Sequence, residues 1–147
     1  MVDREVIEGL CISLEGYLRE LKDAHDIDWN KFRKDNRSRR FVERLLQISI
    51  ETMIHIGQHI ISDESLREPQ SYRDVFAVLV ENGILPEKEL PKYESIASFR
   101  NILVHHYERI EDSIVYGIFK NSLVDIETFV ASIIDWVEKR IQEPERG

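Results

Sequence analysis

Residues 36–62, NRSRRFVERLLQISIETMIHIGQHIIS, decide the fold. Phe41, Leu45, Ile48, Thr52, His55 and His59 mark one helical face. Leu46, Ile50, Met53, Ile54, Ile60 and Ile61 mark a second. A helix apolar around this much of its circumference is either central in a bundle or pressed against a second protomer. The rest of the chain reads as elements that cover it.

Upstream, residues 3–24 carry Ile7, Leu10, Cys11, Leu14, Tyr17, Leu18 and Leu21 at the 3.6-residue period, with Asp3 placed to cap the N-terminus. Residues 25–38, HDIDWNKFRKDNRS, break the period and read as a loop that Trp29 and Phe32 pin to the core. Downstream, residues 63–71 are a second loop ending at Pro69, and Ser71 with Asp74 reads as a helix N-cap pair. A helix over about 72–82 stops at Asn82-Gly83. Another runs over about 87–105, with Pro91 in its first turns, and a last one from about Asp112 or Ser113 to 141. Residues 143–147 read as a frayed tail. No alternating strand pattern or internal repeat appears. The expectation is one all-α domain over 1–147, an up-and-down bundle of about five helices, dimeric.

Composition agrees. The 147 residues are 42% hydrophobic and 33% charged, with four prolines and six glycines, which suits a single charge-rich globular domain. The single cysteine, Cys11, permits no intrachain disulfide and suits a reducing compartment. The N-terminus is charged from its third residue, unlike a signal peptide, and no apolar run is long enough for a membrane span. A cytoplasmic protein is expected. A net charge of −8 argues against a non-specific nucleic-acid coat, yet it leaves room for a local basic cleft and for a basic protein partner. The one basic stretch runs from Lys31 to Arg44, with Arg33, Lys34, Arg37, Arg39 and Arg40 between. It is a solvated face, a phosphate track, or a docking surface for an acidic partner.

Chemistry concentrates in residues 98–107, SFRNILVHHY. Arg100, Asn101, His105, His106 and Tyr107 are a fixed cation, an amide, two imidazoles and a phenol within eight positions. On a helix Arg100 and Tyr107 are nearly in line, while Arg100 and His105 are about 140° apart. One straight helix therefore does not aim both at one atom. The arginine wraps around, the helix loosens near His105, or a second copy of the chain supplies the missing group. Arg100 also has a purely structural reading, as a partner for Glu51 or Glu94, and His106 falls among packing residues. On the long helix, Glu51, His55 and His59 share a face at i, i+4 and i+8. No second carboxylate–histidine pair completes a bundle metal site. No metal is assigned, and the three are expected to line a cleft or an interface.

The arrangement Arg100-Asn101 followed by His105 and Tyr107 resembles the R-x4-6-H signature of HEPN domains. With the tyrosine two places after the histidine, it is most similar to the HepT-like branch, the ribonuclease toxins that pair with a minimal nucleotidyltransferase antitoxin. Two flanking segments resemble the same branch: Glu51 to Ile61, which carries His55 where the branch commonly has Asp, and Pro69 to Phe76. The resemblance implies a homodimeric, metal-independent endoribonuclease without a cofactor. It implies Arg100 on the phosphate, His105 in proton transfer, and Asn101 and Tyr107 supporting them, with Tyr107 the acceptor of AMP from the partner. The alternative is a non-catalytic helical subunit that partners a nucleotidyltransferase and binds a nucleotide phosphate through the same cluster.

Overall fold

The computed structural model describes residues 3–104 and 112–142. In chain order these form α1 (Arg4–Asp23), α2 (Trp29–Lys34), α3 (Asn36–Asp63), α4 (Tyr72–Glu81), α5 (Leu90–Val104), α6 (Asp112–Asn121) and α7 (Leu123–Gln142), with a 3₁₀ turn at Glu87–Glu89 leading into α5. Among the described residues there is no strand, and no helix is long and apolar enough to cross a membrane.

The long helix is central. Thirteen of the 28 residues of α3 are buried, from Ser38 to Ile61, which takes packing on several sides. α1, α2, α4, α5 and α6 all lie against α3, and α7 closes the bundle against α1. Burial of polar groups is handled locally: the hydroxyls of Ser49 and Thr52 donate to the carbonyls of Leu45 and Ile48 one turn back. Phe76, Tyr93 and Phe129 meet with ring centroids 5.8 Å apart in each pair, tying α4, α5 and α7 together. Cys11 on α1 is buried in the core, and burial pushes its thiol up to about 11, which suits an inert packing residue.

The expected caps are present. The Asp3 carboxylate accepts from the Val6 N–H, and the Ser71 hydroxyl accepts from the Asp74 N–H. Gly83 has φ +72°, and the N–H groups of Gly83 and Ile84 reach back to Val80 and Leu79, closing α4 as a Schellman motif. Two elements differ from the sequence expectation. The first loop holds a short helix, α2, capped by Asp28, whose side chain accepts from the Lys31 N–H. The last helix is bent at Ser122 into α6 and α7, with Ser122 still bonded to Ile118 and Asp125 to Ser122.

The C-terminus of α3 repeats the Schellman pattern with a residue poorly suited to it. Ser65 has φ +53°, and the N–H of Leu66 returns to Ile61. A side chain in this left-handed region costs about 1–2 kcal/mol, and glycine loses about 0.5–1 kcal/mol in backbone entropy. Ser65→Gly should therefore stabilise the protein by about 0.5–1 kcal/mol. Thermal denaturation should show a midpoint raised by about 1–4 °C.

The loop that follows is latched to α4 by Arg67. Its guanidinium donates to both oxygens of Asp74 (2.7 and 2.9 Å) and to both oxygens of Glu81 (2.8 and 2.9 Å). Hydrogen bonding to Arg67 holds the Asp74 carboxyl down at about 2. Asp74 also accepts from the Gln70 N–H. The latch fixes the first turn of α4, and Tyr72 stands on that turn.

Candidate active site

Arg100 is placed by the register of α5. It lies seven residues after Tyr93 and four after Ile96, both buried, so its stem starts on the inward side of the helix. The charged head then needs a partner, and α3 supplies one. Arg100 Nε is 3.5 Å from Glu51 Oε1, with side-chain exposures of 20% and 29%, so the pair is shielded without being sealed from water. Of the two structural partners expected for Arg100, Glu51 is found, while Glu94 lies 3.9 Å from Arg73. The same Glu51 oxygen accepts from Gln47 Nε2 at 3.1 Å.

Two further groups hold the guanidinium. Its carbon is 5.0 Å from the centroid of the Tyr72 ring, a cation–π distance. Its Nη1 donates to Asn101 Oδ1 at 3.4 Å. Glu51 faces Nε, so the outer edge of the fork is the part left to meet a ligand. Beside Tyr72 and Asn101 opens a cavity of about 350 Å³, lined also by Gln58, Pro69, Gln70, Ser71 and Val75. Its polar lining comes from amides and hydroxyls, neutral groups that both donate and accept. A fixed cation close to a polar recess is suited to a phosphate with its sugar and base.

His55 and His59 are exposed on the outer side of α3, with His55 one turn beyond Glu51. Among the described residues, no three His, Cys, Asp or Glu side chains come together as metal ligands. His105, His106 and Tyr107 lie outside the described residues. Sequence reading did not single out Tyr72, Gln47 or Gln58 for the site. Tyr72 reaches Arg100 from a different helix, and the signals near it were the Ser71 cap that fixes where α4 begins and the family-like segment Pro69 to Phe76.

A family model described as "Ribonuclease HepT-like" matches residues 14–133. The mRNA nuclease HepT of Shewanella oneidensis is 31% identical over 103 residues, covering 70% of this chain and 77% of that protein. The tRNA nuclease HepT of Aphanizomenon flos-aquae is 27% identical over 135 residues, 90% of each chain. In solved structures, the tri-AMPylated Shewanella oneidensis HEPN toxin in complex with MNT antitoxin superposes with a TM-score of 0.81. It is 27% identical, with 92% of this chain and 99% of that one covered.

Proposed function

The chain belongs to the HepT-like ribonuclease family, and on that premise we propose that it is a metal-independent endoribonuclease, the toxin of a pair whose antitoxin is a minimal nucleotidyltransferase. The observation that carries this reading is the placement of Arg100, a guanidinium held by Glu51 and against Tyr72, whose ring with Asn101 lines a polar recess.

Cleavage of RNA by its own 2′-hydroxyl needs three services. A base removes the 2′-proton, so that O2′ attacks the adjacent phosphorus. A cation stabilises the charge growing on the phosphoryl oxygens. An acid protonates the departing 5′-oxygen. Arg100 brings a guanidinium, which can grip two phosphoryl oxygens with one fork. His105 carries an imidazole, the side chain most often used for proton transfer, and serves that role. Asn101 orients the arginine through its Oδ1, and a homodimer brings a second imidazole to the same phosphate. The products are a 2′,3′-cyclic phosphate and a 5′-hydroxyl.

Control by the partner follows from Tyr107. Nucleotidyl transfer from ATP to the phenol oxygen releases pyrophosphate and leaves a phosphodiester on the tyrosine. The added negative charge and bulk then repel an RNA phosphate from Arg100. This reading is supported by the AMPylated state of the Shewanella relative in its complex.

The test is digestion of a defined RNA with excess EDTA present, followed by end-group analysis. Cleavage at an undiminished rate, with cyclic phosphate and 5′-hydroxyl ends, is expected. Loss of activity restored by a divalent ion, or 5′-phosphate ends, would overturn the mechanism. Protein that binds nucleotides and never cuts RNA would instead support the non-catalytic binding subunit.

A further inference from the structure

The basic stretch of residues 31–44 is divided by the fold into cations that are used and cations that are not. Lys31 is 3.0 Å from Asp26. Arg39 donates to the Arg33 carbonyl and to Asn36 Oδ1 and lies 3.8 Å from Glu43. Arg33, Lys34, Arg37, Arg40 and Arg44 are exposed and make no ion pair among the described residues.

Three of these free cations share one line with the candidate active site. On α3, Arg37, Arg40 and Arg44 fall within about 40° of the azimuth of Glu51, and so do Gln47, His55 and Gln58. The ridge therefore reads Arg37, Arg40, Arg44, Gln47, Glu51, His55, Gln58 along the helix, exposed except at the half-buried Gln47 and Glu51. Its one carboxylate, Glu51, is occupied by Arg100 and by Gln47. Glu43 falls about 80° away from Glu51. In a chain of net charge −8, an anion-poor ridge of this length is a local exception.

We propose that this ridge is a track for the backbone of single-stranded RNA, leading the strand to the phosphate position at Arg100. The proposal rests on the ribonuclease reading for its direction. At 1.5 Å per residue, Arg44, Arg40 and Arg37 stand about 10, 16 and 21 Å along α3 from Glu51. That length takes up about four nucleotides, the lower end of what single-strand grooves hold. Guanidinium groups suit the task because each can fork onto one phosphate. The continuity of the ridge with the site favours RNA over an acidic protein partner, which would have no need for the cations to align with Arg100.

The test uses a fluorescein-labelled 12-nucleotide 2′-O-methyl RNA, which lacks the attacking hydroxyl and cannot be cut. Binding is followed by anisotropy over a salt series, for wild type, Arg40→Gln/Arg44→Gln and Arg40→Lys/Arg44→Lys. The glutamine pair should weaken binding at least about tenfold and flatten the slope of log Kd against log salt by about 1.4, since each phosphate contact on a single strand contributes about 0.7. The lysine pair should retain most of the affinity and slope. Cleavage adds a second readout. The ratio of kcat/KM for a 12-nucleotide RNA to that for a dinucleotide should fall about tenfold in the glutamine pair. Unchanged affinity and slope in the glutamine pair would overturn the track. So would loss of assembly with a nucleotidyltransferase alone, which would make the ridge a protein contact. A wild type that binds along the ridge and cuts nothing would end the ribonuclease reading and leave the track standing.

Discussion

Arg100→Ala should lower kcat for RNA cleavage about a thousandfold, the loss seen when a group poised on developing charge is removed. Folding should be nearly unaffected. The Arg100–Glu51 pair is partly exposed, and such pairs contribute about 0–1 kcal/mol to stability. Arg100→Lys should recover only part of the rate. An ammonium keeps the charge, but it cannot fork onto two oxygens. His105→Ala should cost about 10²–10⁴-fold through loss of proton transfer. Single-turnover cleavage of end-labelled RNA measures all three variants, with circular dichroism to check the fold. Cleavage by Arg100→Ala within threefold of wild type would make the residue a structural tie between α5 and α3 and nothing more.

Gly57→Val should be the most damaging single change to the fold. Gly57 sits on α3 against α4, and a Cβ there would run into Val75 Cγ1 and lie 3.2 Å from Leu79 Cδ1. Both neighbours are buried, so neither has room to swing away. Overpacking of this kind costs up to about 3 kcal/mol, and a branched side chain falls at the upper end. The melting midpoint should drop by about 6–12 °C. Gly57→Ala should do less, because alanine gains about 1 kcal/mol of helix propensity against the clash. A Val75→Ala change should restore much of the loss in Gly57→Ala, which a double-mutant cycle reads directly. Activity should fall as well, since displacing α4 carries Tyr72 away from Arg100. A midpoint within 1 °C of wild type for Gly57→Val would show the two helices to be less closely held than described.

Most of the architecture was legible because long helices announce themselves by period. α1, α3 and α4 follow the apolar stripes, and α1 and α4 carry the expected caps, Asp3 on the first and Ser71 and Gly83 on the second. α2 was not legible, since six residues are too few to set up a repeat, although Asp28 ahead of Trp29 was a capping signal in plain view. The bend at Ser122 was hidden for the opposite reason: Ile118, Phe119, Leu123 and Ile126 keep a helical spacing straight through it. At the site, the Arg100–Glu51 contact was among the sequence-level options because both residues border apolar stripes of neighbouring helices. The Tyr72 contact was not, since it depends on how the Arg67 latch sets the loop between α3 and α4. Long-range geometry of that kind leaves no mark in local spacing.

The pairing of Glu51 with Arg100 has a selective outcome of its own. On the reading proposed above, that carboxylate offsets part of the guanidinium's charge, so a lone phosphate ion would meet a weakened cation. A strand already gripped elsewhere on the protein would present its phosphate at a far higher effective concentration. Polymers would thereby be favoured over loose inorganic anions, with no separate filter required.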